Sequence, residues 1–533
     1  MNLFDRFEQN VRAHPNKPAF IYFHKRKWKT LTYQDIFDQT QRFLRGLEAG
    51  PLTPGLTAAL LTPPSPEFFP FALALLKFGI VPILVEPAIG IKKIGEIYEE
   101  SRPDIFIGNT LTHALRVLFS WGKTSIKYNL TINSVESRRS KVVQQTPNSQ
   151  FTNLPITNLA AIIYTSGSTG LPKGAIYTQE NLVAQLELLK NTFHITLDEI
   201  DLPAFPIYAL IDLLLGVTSV IPDISFPVPG KTDPAKVIDA IQKFHVTNMF
   251  ASPVVLDLLS SFVLSGDAVV ASQSKHLPSL KRIITAGAPA TIDLQKRFRH
   301  LLADHTSLFG IYGATETLPI AKVESREVFA LEERTKSGAG ICLGKPIEDV
   351  TVRIIPITDK PIEEWQDSLT VGKNVIGEIT VQSPATTRGY IHREDANRIS
   401  KIDFQGEVIH RMGDVGYFDD EGRLWYCGRK SHRVETKNEV LFTEQIENVF
   451  NAHPQVFRTA LVGVEGEPVL WVELQNGVNP SKEQVIAELK ALAASHPQAS
   501  RIQTFLFLKK FPTDVRHNSK IIREKLAELA TGR

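Results

Sequence analysis

Tyr164-Thr165-Ser166-Gly167-Ser168-Thr169-Gly170-Leu171-Pro172-Lys173-Gly174 is the stretch on which the reading of this chain turns. Glycines at 167, 170 and 174 let backbone approach a ligand closely, and the hydroxyls of Thr165, Ser166, Ser168 and Thr169 add donors. The run follows Leu159–Thr165, an apolar segment that reads as a buried strand. A Gly/Ser/Thr run alone describes a surface loop. Directly after a buried strand it describes a concavity of backbone N–H groups suited to an anion, with Lys173 as a point charge for a polyphosphate. No Gly-Lys-Ser/Thr follows at the spacing of a Walker A loop.

Working outward, Ala58–Leu61, Ile80–Val85 and Asp104–Gly108 read as buried strands. Tyr33–Leu47 carries Ile36, Phe37, Phe43, Leu44 and Leu47 at near-helical spacing. Strands alternating with helices predict sheets, mainly parallel, covered by helices. The apolar stretch Phe68 to Val85 contains Pro70, Lys77, Gly79 and Pro82, so it reads as a buried helix ending near Gly79 and then a strand, not a membrane span. Lys123 to Asn158 is polar and basic, with Arg138, Arg139 and Lys141, and predicts an exposed strand-loop insertion. A helix is expected from about Asn181 to Phe193, and strands at Arg282–Thr285 and Val375–Gln382.

The texture changes near residue 429. Strands are expected at Arg458–Val464, Val469–Leu474 and Thr504–Leu508. A helix is expected over Lys482–Ser495, with Ser481 and Gln484 at capping-box spacing, and a last one from near Ser519. The predicted fold is therefore α/β. A large N-terminal domain, residues 1–428, has mixed, mainly parallel sheets, and a small α+β domain, residues 429–533, hangs on a hinge at Gly428–Lys430.

Composition narrows the function. The 533 residues are 43% hydrophobic and 22% charged, which excludes extensive disorder. Lys plus Arg is 59 and Asp plus Glu is 57, which removes the electrostatic case for a nucleic-acid binder. Cys342 and Cys427 form no CxxC or Cys/His cluster, and the N-terminus has no secretory pattern, so a cytoplasmic protein without zinc is expected.

The loop Thr165–Gly174 resembles the signature of the adenylate-forming superfamily: acyl-CoA synthetases, peptide-synthetase adenylation domains and luciferases. Further segments resemble that family in the same order. In Ile311-Tyr312-Gly313-Ala314-Thr315-Glu316 the resemblance implies that Tyr312 covers adenine, Thr315 touches the α-phosphate and Glu316 binds magnesium. Gly287, Ala288 and Pro289, after Ala286, resemble the backbone segment beside adenine. Asp414, after Gly413, resembles the acceptor of both ribose hydroxyls, with Arg429 placed to reach the same sugar. Lys520, within Arg516-His517-Asn518-Ser519-Lys520-Ile521, resembles the adenylation lysine, and Lys430 the hinge residue. ATP and magnesium are the implied cofactors, with Thr169 counted among the catalytic groups.

The chemistry suits these residue types. Attack of a carboxylate on an α-phosphate brings two anions together, and Lys520 with a cation at Glu316 neutralises the charge that builds there. Taken singly, Lys520 reads as a solvated charge, Glu316 as a helix N-terminal charge and Asp414 as a turn residue.

Two departures from a CoA ligase stand out. Ser431-His432-Arg433-Val434-Glu435-Thr436-Lys437-Asn438-Glu439 lacks the glycine of the loop that helps build a pantetheine tunnel. Phe205-Pro206-Ile207-Tyr208-Ala209-Leu210 lacks a tunnel histidine. With Leu202–Leu215, Thr247–Pro253, Gly413–Glu435, His453–Val464 and Arg516–Leu526, these resemble the olefin-pathway β-lactone synthetases. The resemblance implies a 2-alkyl-3-hydroxy fatty acid, adenylated and then closed to a β-lactone by its own 3-hydroxyl. His432 is a candidate base, Tyr208 a weaker candidate for the site, and Phe205, Leu210, Leu213, Met249 and Phe250 candidates for an acyl pocket. Implied pathway partners are a thiolase-like condensing enzyme, a short-chain reductase and an α/β-hydrolase-type decarboxylase. The alternatives are a fatty acid–CoA ligase and an inactive adenylating-fold binding protein; against the latter stand Lys173, Glu316, Asp414, Arg429 and Lys520 together.

Overall fold

The computed structural model describes residues 2–86, 89–136, 158–165, 172–205, 207–224, 229–264, 277–478, 480–513 and 520–532. The loop residues 166–171, including Ser166, Gly167, Ser168, Thr169 and Gly170, lie outside them, as do 514–519.

Among the described residues, a six-stranded sheet runs in the order Tyr128–Leu130, Ile105–Gly108, Thr57–Leu61, Val81–Val85, Leu159–Thr165, Lys173–Thr178. All its pairs are parallel except the last, in which Thr165 lies opposite Lys173. A fourteen-stranded sheet holds the other half of the site. At its centre, Pro18–His24, Thr218–Ile221, Ile200–Pro203, Asn248–Ala251, Arg282–Thr285 and Ser307–Ala314 are parallel neighbours. Antiparallel strands flank them, among them the neighbours Glu407–Phe418 and Leu424–Arg429, out to the edges Thr351–Ile355 and Lys27–Thr32.

Phe68–Phe78 is apolar on all sides and buried accordingly, with Gly79 left-handed at its C-cap before the strand Val81–Val85. No described helix is long and apolar enough to cross a membrane. Helix Gln179–Phe193 starts on a capping box: Thr178 Oγ1 accepts from the Asn181 N–H, and Asn181 Oδ1 accepts from Thr178. In the described part of the insertion Tyr128–Leu130 joins the sheet edge and Ile132–Glu136 is helical, while residues 137–157, with Arg138, Arg139 and Lys141, lie outside the described residues.

A three-stranded sheet of Val456–Val464, Glu467–Leu474 and Thr504–Phe507 carries its own apolar core with helices Thr443–Asn451 and Lys482–Ala493. Two expectations here are corrected. The Ser481/Gln484 box is not formed: Ser481 Oγ donates to Glu483 Oε2 at 2.6 Å and Gln484 to Glu488, because a carboxylate is the stronger acceptor. The last helix begins at Arg523, not near Ser519, since Thr513 and Ile521 first form a bridge.

Candidate active site

Ser307–Ala314 and Thr317–Glu324 form an antiparallel hairpin closed by Thr315 and Glu316. A Cβ at Gly313 would stand 3.1 Å from the Thr317 carbonyl oxygen and 2.5 Å from the end of the Leu318 side chain, a tight fit that glycine avoids. The turn is held from outside. The Tyr177 hydroxyl donates to the Thr315 carbonyl, and the Thr387 N–H donates to the Glu316 carbonyl at 2.8 Å. Glu316 therefore occupies a hairpin turn and not a helix start.

Tyr390 donates its hydroxyl to Glu316 Oε1 at 2.6 Å. Burial, then Glu316, push that phenol upward, so it stays protonated and remains a donor. Glu316 Oε2 accepts no hydrogen bond among the described residues, which leaves a hard oxygen suited to a divalent cation. Lys173 Nζ lies 5.2 Å from the Tyr390 ring centroid and Lys401 Nζ 5.6 Å. Burial lowers both lysines, Lys401 to about 7, while Glu316 opposes each shift. Lys401 donates to the Thr387 carbonyl at 2.7 Å, tying it to the segment that holds the turn.

Beside this group, Tyr312 donates its hydroxyl to Asp414 Oδ2 at 2.6 Å. Arg429 Nη1 stands 2.9 Å from Asp414 Oδ1 across paired strands, without the alignment of a hydrogen bond. Burial raises Asp414, Arg429 opposes it, and Glu316 is near enough to add to the rise. The two clusters thus form one field of charge. Asp414 Oδ1, buried and with no aligned donor, suits a ligand hydroxyl. Ala286-Gly287-Ala288-Pro289 forms the loop after strand Arg282–Thr285.

The strand bearing Arg429 ends at the joint. Gly428 has φ +137° and an added Cβ there would meet Thr443 Oγ1 at 2.3 Å, so only glycine seats helix Thr443–Asn451 this close. Lys430 Nζ is 3.1 Å from Glu378 Oε1 and donates to the Thr358 carbonyl at 2.9 Å. His432 lies in the following turn with Nε2 3.8 Å from Glu524 Oε1. Burial, then Arg523 and Arg429, push its imidazole down to about 4, so it is neutral at pH 7. Lys520 is exposed on the surface of the small sheet's unit, next to the Thr513–Ile521 bridge.

An apolar cavity runs between helix Tyr208–Leu215 and the central parallel strands. Tyr208 and Phe250 stack in its wall with centroids 3.7 Å apart, and Met249, Ile284 and Ile311 also line it. Leu213 belongs instead to the helical core on the other side.

Residues 7–391 match the AMP-binding enzyme family. The chain belongs to the AMP-binding enzymes. It is 41% identical over 518 residues to the olefin β-lactone synthetase of Xanthomonas campestris, covering 93% of this chain and 90% of that one. It is 39% identical over 521 residues to the olefin β-lactone synthetase of Stenotrophomonas maltophilia, covering 94% and 91%. In fold it is similar to the O-succinylbenzoate coenzyme A synthetase of Bacillus subtilis solved with AMP, with a TM-score of 0.75 over 99% and 98% of the two chains at 21% identity.

In this AMP-binding enzyme the structure brings Lys173, Glu316, Tyr312, Asp414 and Arg429 together, leaves Lys520 at the surface and puts His432 at the joint. Reasoning from sequence missed Tyr390 and Lys401. They follow Thr387 and the helix-ending Ser400 at positions with no hydrophobic period or motif to single them out. It also missed Asp201 and Asp212. The signal there was an acid inside the apolar helical run Ile211-Asp212-Leu213-Leu214-Leu215.

Proposed function

We propose that this chain adenylates a 2-alkyl-3-hydroxyalkanoic acid and closes it to a β-lactone. The observation that carries this is the 41% and 39% identity to two olefin β-lactone synthetases over nine-tenths of each chain. A carboxylate oxygen attacks the α-phosphorus of ATP, the bond to the bridging oxygen of the β-phosphate breaks, and pyrophosphate leaves. The 3-hydroxyl oxygen then attacks the acyl carbon, the acyl–oxygen bond to AMP breaks, and the hydroxyl proton passes to a base. The internal nucleophile needs no second substrate site, since well-oriented intramolecular groups reach effective molarities of about 10⁵–10⁸ M.

The residues fit this sequence. Glu316 Oε2 is the oxygen offered to magnesium, which supplies charge neutralisation at the phosphates. Lys173 and the loop Thr165–Gly170 hold phosphate, Thr315 the α-phosphate, and Gly287–Pro289 with Tyr312 flank adenine. Asp414 and Arg429 take the ribose, and Lys520 enters for adenylation when the small unit, residues 429–533, swings on Lys430. His432 serves as base only in an arrangement that carries it away from Arg429 and Arg523, whose charges oppose a proton on it. The cytoplasm is the compartment this reading assigns, and the thiolase-like, reductase and decarboxylase partners belong to the same reading.

The test is an endpoint assay with ATP, magnesium and a 2-alkyl-3-hydroxy acid, with and without CoA. AMP, pyrophosphate and a β-lactone identified by mass and infrared spectra are expected equally in both. An acyl thioester formed only with CoA would overturn the reading.

Tyr390→Phe tests the support of Glu316. Losing an outer partner of a metal-binding carboxylate costs about 10–100-fold in metal affinity, so the magnesium concentration for half-maximal adenylation should rise by that order. An unmoved magnesium dependence would detach Tyr390 from the site.

A further inference from the structure

The acyl cavity ends on a polar layer. Arg282 and Ile284 alternate along one strand and line it together with Ala286 just past that strand's end, as do Asn248 and Phe250 on the neighbouring strand, where Asn248 lies opposite both Arg282 and Asp201. The end nearest Ala286 and Ile311 adjoins the adenine-side loop and Tyr312. The far end is Asn248, Glu199 and Arg282. Glu199 Oε2 accepts from Asn248 Nδ2 at 2.7 Å and from Arg282 Nη2 at 2.6 Å. Asp201 and Asp212 also line the cavity and are hydrogen-bonded to each other, and Ser219 Oγ donates to Asp212 at 2.6 Å. Burial pushes both carboxyls up, Asp212 the further.

We propose that the Asn248–Glu199–Arg282 layer is the floor of the acyl site and sets the length of the alkyl arm that this enzyme accepts. The inference rests on the reading above, in which an alkyl-bearing acid is adenylated. Asn248 is only 5% exposed, and among the described residues neither its Oδ1 nor Arg282 Nε has a hydrogen-bond partner. A methyl terminus pressed onto these atoms covers polar groups without replacing the hydrogen bonds they seek. The ion pair and amide cannot step aside, because Glu199 holds both donors and its own exposure is 5%. Four residue steps, from Arg282 to Ala286, set the floor about 13 Å from the adenine-side loop. One arm of a two-armed substrate is measured here.

The experiment is acid-dependent exchange of labelled pyrophosphate into ATP, using straight-chain acids of increasing length. Exchange reads adenylation alone and needs no 3-hydroxyl. In the wild-type enzyme kcat/KM should fall about 10-fold per methylene once the arm reaches the floor, the scale of one methylene in a closed pocket. Asn248→Ala lowers the floor and should raise the ratio of long-acid to short-acid kcat/KM at least 10-fold. Ile284→Phe fills the shaft above the floor, leaves the ion pair intact and should move the limit to shorter acids. A wild-type profile with no limit overturns the proposal. So does a limit that Ile284→Phe moves and Asn248→Ala does not. Exchange with a normal profile but no lactone from a 3-hydroxy acid overturns the lactone reading instead, and leaves the floor standing.

Discussion

Lys520→Ala is expected to lower acid-dependent pyrophosphate exchange by about 10²–10³-fold, the cost of removing one preorganised group that meets charge in a transition state. The carboxylate and the α-phosphate are both anions, and their approach concentrates negative charge at phosphorus where water is excluded. Lys173 is held near Tyr390 and Glu316, and on the proposed reading it neutralises the ground-state phosphates. On the proposed reading Lys520 contributes only when the small unit that carries it closes, so its loss should fall on kcat. ATP binding, followed by calorimetry, should change little. A preformed acyl-adenylate of a 3-hydroxy acid should still be converted to lactone by the variant, because no phosphorus–oxygen bond forms in that step. Exchange at the wild-type rate would remove Lys520 from the mechanism.

Glu378→Ala is expected to destabilise the folded chain by about 3–5 kcal/mol, the usual cost of breaking a buried ion pair from one side. Glu378 and Arg411 are each 1% exposed, with Arg411 Nη2 2.6 Å from Glu378 Oε2 and Nε 3.2 Å from the same oxygen. Lys430 approaches the other oxygen at 3.1 Å. Without the carboxylate, among the described residues the guanidinium keeps the carbonyls of Thr358 and Lys360, and the lysine keeps the Thr358 carbonyl and Asp359, 3.7 Å away. The urea midpoint should drop in proportion, and Glu378→Gln, which keeps an acceptor, should lose less. Because Lys430 is the hinge candidate, the variant should also free the joint, read as faster protease cleavage near residue 430. An unchanged urea midpoint would show that Glu378 does not hold the two cations.

The parallel strands were legible because apolar runs bounded by turn residues have one stable reading. Leu159–Thr165 and Arg282–Thr285 are found where the sequence places them, and the apolar Phe68–Phe78 helix ends at Gly79 for the reason glycine always ends helices, its left-handed backbone. Capping was less legible. Ser481 and Gln484 have the right spacing, yet the local competition with Glu483 and Glu488 decides their bonds.

For the site, the chain by itself determined the charged residue types: Lys173, Glu316, Asp414 and Arg429 stand in ordered motifs, at a strand start, in a turn, within a strand and at a strand end. Only the tertiary structure decided which neighbours tune them. Tyr390 reaches Glu316 from 74 positions away, Asp414 meets Tyr312 across 102, and Glu199 gathers Arg282 across 83. Local propensity and periodicity act over a few residues, whereas a buried hydrogen bond depends on which strands the sheet sets side by side.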